Sequence, residues 1–282
     1  MLDRVADYRL PDALAGTFLE KIMRSRIHEI VGAKRNWPAE AIRASLERFP
    51  EPRSLRKALL RRSPAIIAEI KKASPSGGTL RHEFDPVNLG REFERGGAAA
   101  LSVLTEVKYF QGGLENLAVL RWNTTLPLLR KDFIVDPYQI LEARHAGSDA
   151  VLLVASLLDD ESLKDLVVEA RSLGMEAVVE VHTSGELDRA LRAGAGIIGV
   201  NNRDLRTLDV SLEVSMQLAG GIPQDVVAIS ESGIRTPDDL RRLTDAGYRA
   251  FLIGEQLMRA RSPRKALEDL ILGGTAGRRR IG

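Results

Sequence analysis

Eight short, continuous apolar runs divide most of this chain at nearly even intervals, and no other feature constrains its fold as tightly. They are Ala65–Ile70, Ala98–Leu104, Leu126–Leu129, Ala150–Val154, Ala177–Val181, Gly196–Val200, Val226–Ser230 and Ala250–Gly254, with starts 19–33 residues apart. Runs this short that do not alternate with polar residues suit strands covered on both faces, as in a parallel sheet. The intervals hold helical patterns. Asp159–Leu173 places Leu163, Leu166, Val167 and Ala170 on one stripe and stops at Gly174. Thr236–Gly247 opens with a capping threonine and a proline and closes on glycine, and Ser184–Gly194 reads the same way with Ser184 as its cap. Strand–helix alternation repeated eight times predicts an α/β fold, a (β/α)8 TIM barrel. A doubly wound open sheet is the alternative, but no Gly-x-Gly-x-x-Gly follows the first strand to favour it.

Residues 1–62 read as an N-terminal helical extension. Ala13–Ala33 has the spacing of a long amphipathic helix, with Leu14, Phe18, Ile22 and Ile27 among its apolar positions, and Pro38–Phe49 and Ser54–Leu60 look like shorter ones. Such an extension fits a cap beneath the barrel or a dimer surface as well as a lid over its mouth. The length of 282 residues suits a single domain, with 63–272 as the barrel and 273–282, including Arg278–Arg280, as a disordered solvated tail.

Basic and acidic residues nearly cancel, 41 against 39, so neither a nucleic acid nor a membrane surface is expected as a partner. The chain has no cysteine, which removes disulfides, thiolate metal sites and cysteine nucleophiles together. No apolar run approaches the ~20 residues that span a bilayer, and the first ten residues lack the pattern of a secretory leader. The expectation is a cytoplasmic protein, a monomer or weak homodimer. His28, His82, His145 and His182 show no ligand spacing, so no metal is expected, and His182 is read as a solvated loop residue.

Polar groups sit where a barrel strand should be apolar. Glu69 and Lys71 share a face at the end of the first run, and Lys131 lies on the face of Leu129. Glu180 ends the fifth run; the sixth leads into Asn201-Asn202-Arg203-Asp204 and the seventh into Ser230-Glu231-Ser232-Gly233. One such residue could be half of a structural ion pair. Five strands with polar ends at one rim, where this architecture places its active sites, point instead to acid–base chemistry on an anionic substrate. Small-residue turns at Ser232-Gly233 and Gly254-Glu255 add a second signal, because exposed backbone N–H groups after the last two strands hold phosphate in such barrels. A phosphorylated small molecule is the expected ligand.

Six segments, in order along the barrel, make the chain resemble the indole-3-glycerol phosphate synthases of tryptophan biosynthesis. They are Ile67–Ser76 (IAEIKKASPS), Ser102–Gly113 (SVLTEVKYFQGG), Leu129–Val135 (LRKDFIV), Gly199–Leu205 (GVNNRDL), Glu231–Ile234 (ESGI) and Leu252–Met258 (LIGEQLM). Val107 stands where some members have proline, and Glu255 where many have serine. The resemblance implies a carboxy-lyase that closes the indole ring of 1-(2-carboxyphenylamino)-1-deoxyribulose 5-phosphate with loss of carbon dioxide and water, without a cofactor. It assigns Lys131 as general acid and Glu180 as general base, with Lys71 on the substrate carboxylate and Glu69 orienting the lysines. Asn201, Arg203 and Ser232 would hold hydroxyls, and Ser74 would contact substrate. Phe110, Phe133, Leu205 and Leu208 would wall the aromatic ring, and Gly233, Gly254, Glu255 and Lys71 would hold phosphate. Two alternatives are another phosphate-binding barrel enzyme, such as phosphoribosylanthranilate isomerase, and a catalytically silent sugar-phosphate-binding barrel. The isomerases use a cysteine that this chain lacks.

Overall fold

The computed structural model describes residue 5, residues 8–75 and residues 77–275. Eight parallel strands close into a barrel: β1 (Ala65–Ile70), β2 (Ala100–Leu104), β3 (Leu128–Lys131), β4 (Ala150–Val154), β5 (Glu176–Val181), β6 (Ile197–Asn201), β7 (Val227–Glu231) and β8 (Ala250–Ile253). Each pairs with its successor, and β8 closes on β1 through Ala65↔Ala250 to Ala68↔Ile253. The open-sheet alternative is thereby removed. All eight expected runs are strands, two of them with the expected ends and the others displaced by at most two residues. Only β3 shifts by two at both ends, expected from Leu126 and found from Leu128. Pro127 has no N–H for the ladder, and pairing starts only beyond it.

The helices α1 (Phe18–Asn36), α2 (Ala39–Ser45) and α3 (Leu55–Leu60) precede the barrel. Around it run α4 (Pro86–Arg95), α5 (Leu114–Arg121), α6 (Pro137–His145), α7 (Asp160–Ser172), α8 (Ser184–Arg192), α9 (Glu213–Leu218), α10 (Pro237–Asp245), α11 (Glu255–Arg259) and α12 (Pro263–Thr275). The expected helix from Ala13 is broken: Asp12–Leu14 is a 3-10 turn, Gly16 takes φ +76°, and Thr17 caps α1 by accepting from the Glu20 N–H. The cap of α8 is Thr183, not Ser184, because only the Thr183 hydroxyl accepts a backbone N–H, that of Glu186. The expected tail from residue 273 begins inside α12; residues 276–282, with Arg278–Arg280, lie outside the described residues.

The extension does not choose between the two ends of the barrel. At the mouth, Arg26 of α1 holds Asp132 just beyond β3, Lys34 reaches Asp136, and the Phe18 ring meets Tyr109 at 5.0 Å. At the opposite end, Arg53 binds Asp149 and the Leu126 carbonyl, and Arg56 binds the carbonyls of Gly196 and Asp225. Leu55 and Leu59 of α3 are fully buried beneath the strands, each stabilising the fold by about 1.5–3 kcal/mol. The extension therefore grips the rim with α1 and plugs the base with α3. No described helix is long and apolar enough to cross a membrane.

Candidate active site

The four odd-numbered strands each send one charged side chain to the mouth end of the interior: Glu69, Lys131, Glu180 and Glu231. The even-numbered strands contribute Leu104, Val154, Asn201 and Leu252, so the charges meet inside a mostly apolar wall. Lys131 Nζ lies 2.7 Å from Glu231 Oε2 and 3.2 Å from Glu180 Oε2, while Lys71 pairs with Glu69. Glycines make room for two of the carboxylates. A Cβ on Gly254 would strike Glu69 Oε1, and one on Gly199 would strike Glu231 Oε1. Among the described residues no group of three or more His, Asp and Glu side chains is arranged to hold a metal; here the carboxylates gather around an ammonium instead.

Crowding sets the protonation states. Burial alone would push the Lys131 ammonium down, but Glu231, Glu180 and Glu69 outweigh it and hold its pKa above the ordinary lysine value. The Glu231 carboxyl is pushed up to about 7 by burial and by the charges of Glu180 and Glu69, against the pull of Lys131. Glu180 moves the other way: burial opposes ionisation, yet Lys131, His182 and the Asn201 amide, 3.1 Å away, keep its pKa low. One charged amine thus faces one firmly ionised carboxylate and one that titrates near neutrality, a combination suited to delivering and recovering protons.

The cavity above this cluster has a volume of about 630 Å³, within the usual range for a small-molecule site. Most residues expected from sequence line it. Lys71 and Glu69 form one side, and Phe110, Phe133 and Leu205 give it an apolar wall, with the two phenyl rings 6.3 Å apart. Arg203 reaches the cavity and donates to the Leu208 carbonyl. Ser232 and Gly233, at φ +64° and +82°, turn the chain at the end of β7, and Gly254 and Glu255 follow β8. The Glu255 carboxylate is taken up by Arg259, 3.1 Å away, so its side chain is already neutralised at the turn.

Three residues lie elsewhere than the sequence reading puts them. Ser74 does not line the cavity; its hydroxyl accepts the Gly77 N–H and shapes the loop after β1. Leu208 is not a wall residue. Its left-handed backbone, φ +67°, points its carbonyl at Arg203, and Val210 occupies the wall instead. His182 is not solvated: its side chain is 15 % exposed and lies between Glu180 and Glu186. Sequence reasoning also left Glu231 without a role, although its parity with Ile229 placed it on the inward face. Asp132 was missed altogether. It lines the cavity and binds Arg26, Arg130 and Thr105, and no local pattern marks partners so distant in the chain.

The family model described as indole-3-glycerol phosphate synthase matches residues 19–270. A protein of that name from Carboxydothermus hydrogenoformans is 49% identical over 262 residues, covering 90% of this chain and 99% of its own. Another, from Chloroherpeton thalassium, is 47% identical over 246 residues, covering 86% and 95%. Among solved structures, thiamine phosphate pyrophosphorylase from Pyrococcus furiosus superposes with a TM-score of 0.57 at 20% identity, over 76% of this chain and 96% of that one. That likeness is one of fold alone.

Proposed function

Since the chain belongs to the indole-3-glycerol phosphate synthase family, we propose that its cavity closes the indole ring of 1-(2-carboxyphenylamino)-1-deoxyribulose 5-phosphate through the residues of its charged cluster. The observation that carries the division of labour is the Lys131 ammonium, gripped by Glu180 and Glu231 at the floor of the cavity. Fully protonated at neutral pH, Lys131 donates to the C2′ carbonyl oxygen only as the attacking ring carbon pushes negative charge onto it. Such a donor stabilises the transition state more than the bound substrate.

Lys71 holds the carboxylate before it leaves as carbon dioxide, and Glu69 fixes Lys71 in place. In the dehydration that follows, Glu180 takes the proton from C1′ and Glu231 exchanges protons with Lys131. Asn201, bonded to Glu180 and to the Arg203 N–H, keeps the base oriented. The Phe110–Phe133 wall takes the aromatic ring. The turns at Gly233 and Gly254–Glu255, together with Lys71, take the phosphate, and Arg259 offsets the charge of Glu255. A cytoplasmic location and a monomer or weak homodimer accompany this reading.

Mixing purified protein with the carboxyphenylamino substrate should produce indole fluorescence and release one carbon dioxide per indole. Fluorescence that fails to appear while inorganic phosphate still binds would favour a silent sugar-phosphate-binding barrel.

A further inference from the structure

The reaction takes a proton from outside. The ketone oxygen leaves as water carrying two protons, one from the C1′ carbon and one from solvent, while the carboxylate departs as neutral carbon dioxide. The base can recycle the first proton. The second has to enter a cluster whose carboxylates are almost fully buried beneath bound substrate.

We propose that His182, set between Glu180 and Glu186, is the relay that returns this proton from solvent to the Lys131–Glu180–Glu231 cluster. The proposal rests on the reaction assigned above. His182 follows β5 and lies behind the cavity, not in its wall. Its Nε2 is shut off from solvent without a hydrogen-bond partner and faces Glu180 Oε1 at 3.6 Å. A buried ring nitrogen with no partner is uncommon, and this one is a small rotation from a carboxylate that itself lies 3.2 Å from Lys131 Nζ. On the outer side, Nδ1 lies 3.4 Å from Glu186 Oε2, which also accepts the His182 backbone N–H at 2.7 Å. Glu186 sits in the first turn of α8, 17 % exposed, with Arg206 as its cationic neighbour.

The groups facing His182 are Glu180 from β5, Glu186 from α8 and Glu231 from β7. Burial would lower the imidazole pKa, but the Glu186 bond and these three charges raise it above the ordinary value. After Lys131 has given up its proton, the protonated ring passes one from Nε2 to the Glu180 carboxylate, which hands it to the neutral amine; the ring, left neutral with its proton on Nδ1, turns to present the bare nitrogen to Glu186, which delivers a proton taken from water. Each carrier ends as it began, and one solvent proton has been added to the product water.

The test is a single turnover with enzyme in excess, in weak buffer containing a pH-indicator dye, following indole fluorescence and proton uptake together. In the unsubstituted enzyme the two signals should rise together. In His182→Gln proton uptake should lag behind indole formation by at least roughly tenfold, because the first proton is already on Lys131. Added imidazole should abolish the lag. Proton uptake that keeps pace with indole in His182→Gln, both signals slowing together, or a lag that imidazole does not relieve would overturn the relay. Glu186→Gln, which keeps the side-chain shape, should show the same lag and decides the matter if His182→Gln does not fold. No indole from the unsubstituted enzyme would overturn the underlying reaction, and the relay with it.

Discussion

Replacing Arg26 by methionine separates the two roles open to the extension. Arg26 Nε and Nη2 lie 3.0 and 2.6 Å from the two oxygens of Asp132, whose side chain is fully buried. Removing one partner of such a pair destabilises by about 3–5 kcal/mol. Here Asp132 would keep Arg130, at 2.9 Å, and the Thr105 hydroxyl, at 2.5 Å, so the lower end applies. About 3 kcal/mol corresponds to a melting temperature roughly 6–12 °C lower in a protein of this size. Asp132 also follows Lys131 directly in the chain, and a displacement of about 1 Å at a reacting group can slow catalysis by ~10²-fold. We expect Arg26→Met to lower kcat by roughly 10-fold or more with KM nearly unchanged, because no α1 residue lines the cavity. Thermal melts and steady-state indole fluorescence measure both quantities. A raised KM with normal kcat would mean that α1 is a lid against substrate, and a lower melting temperature with unchanged kinetics would mean that the network only supports the fold.

Lys131→Met should lower kcat by at least ~10²–10⁴-fold with a smaller change in KM, whereas Lys72→Met should be nearly silent in the same assay. Arg130→Met should instead lower the melting temperature, since its fully buried guanidinium binds Asp132 and the Gln139 carbonyl. Gly254→Ala should cut kcat by roughly 10-fold or more by driving Glu69 from Lys71, and an unchanged rate would show that Glu69 moves freely. The Asp132 carboxyl is held at about 2: burial would raise it, but Arg26 and Arg130 prevail. A carboxylate depressed in this way stabilises fully above its unfolded value near ~3.9 and loses that contribution as pH falls through about 2. The melting-temperature gap between the unsubstituted protein and Asp132→Asn should therefore close between about pH 4 and pH 2, and a constant gap would contradict it.

The barrel was legible because strand burial and helix punctuation are local. Each apolar run carries its own signal, and Gly174 or Pro237 ends or begins a helix whatever lies across the fold. Period-two parity carries the reading from strands to site for Glu69, Lys71 and Lys131, and Glu180 is marked by its place at a strand end; the structure brings all four together. Where parity stops, legibility stops. Leu208 and Val210 belong to a loop whose wall residue is set by one left-handed turn. Arg26 and Asp132 are 106 residues apart, so neither helix nor strand spacing announces their pairing. His182 differs from the expectation because the loop after a strand is usually wet, whereas here Glu186 of α8 and Glu180 of β5 flank the ring.

The plug under the barrel has a consequence for the order in which the protein is made. Arg56 leaves the ribosome well before its partner, because its guanidinium binds the carbonyl of Asp225, 169 residues later. At about 5–20 residues per second, α3 waits roughly 8–34 s for the strands it will stopper. Over that interval Leu55 and Leu59, which end fully covered, face the nascent chain's surroundings. Helix α3 is thus made well before the last part of the barrel it stoppers, and a chaperone that shields short apolar segments would have its opportunity in that interval.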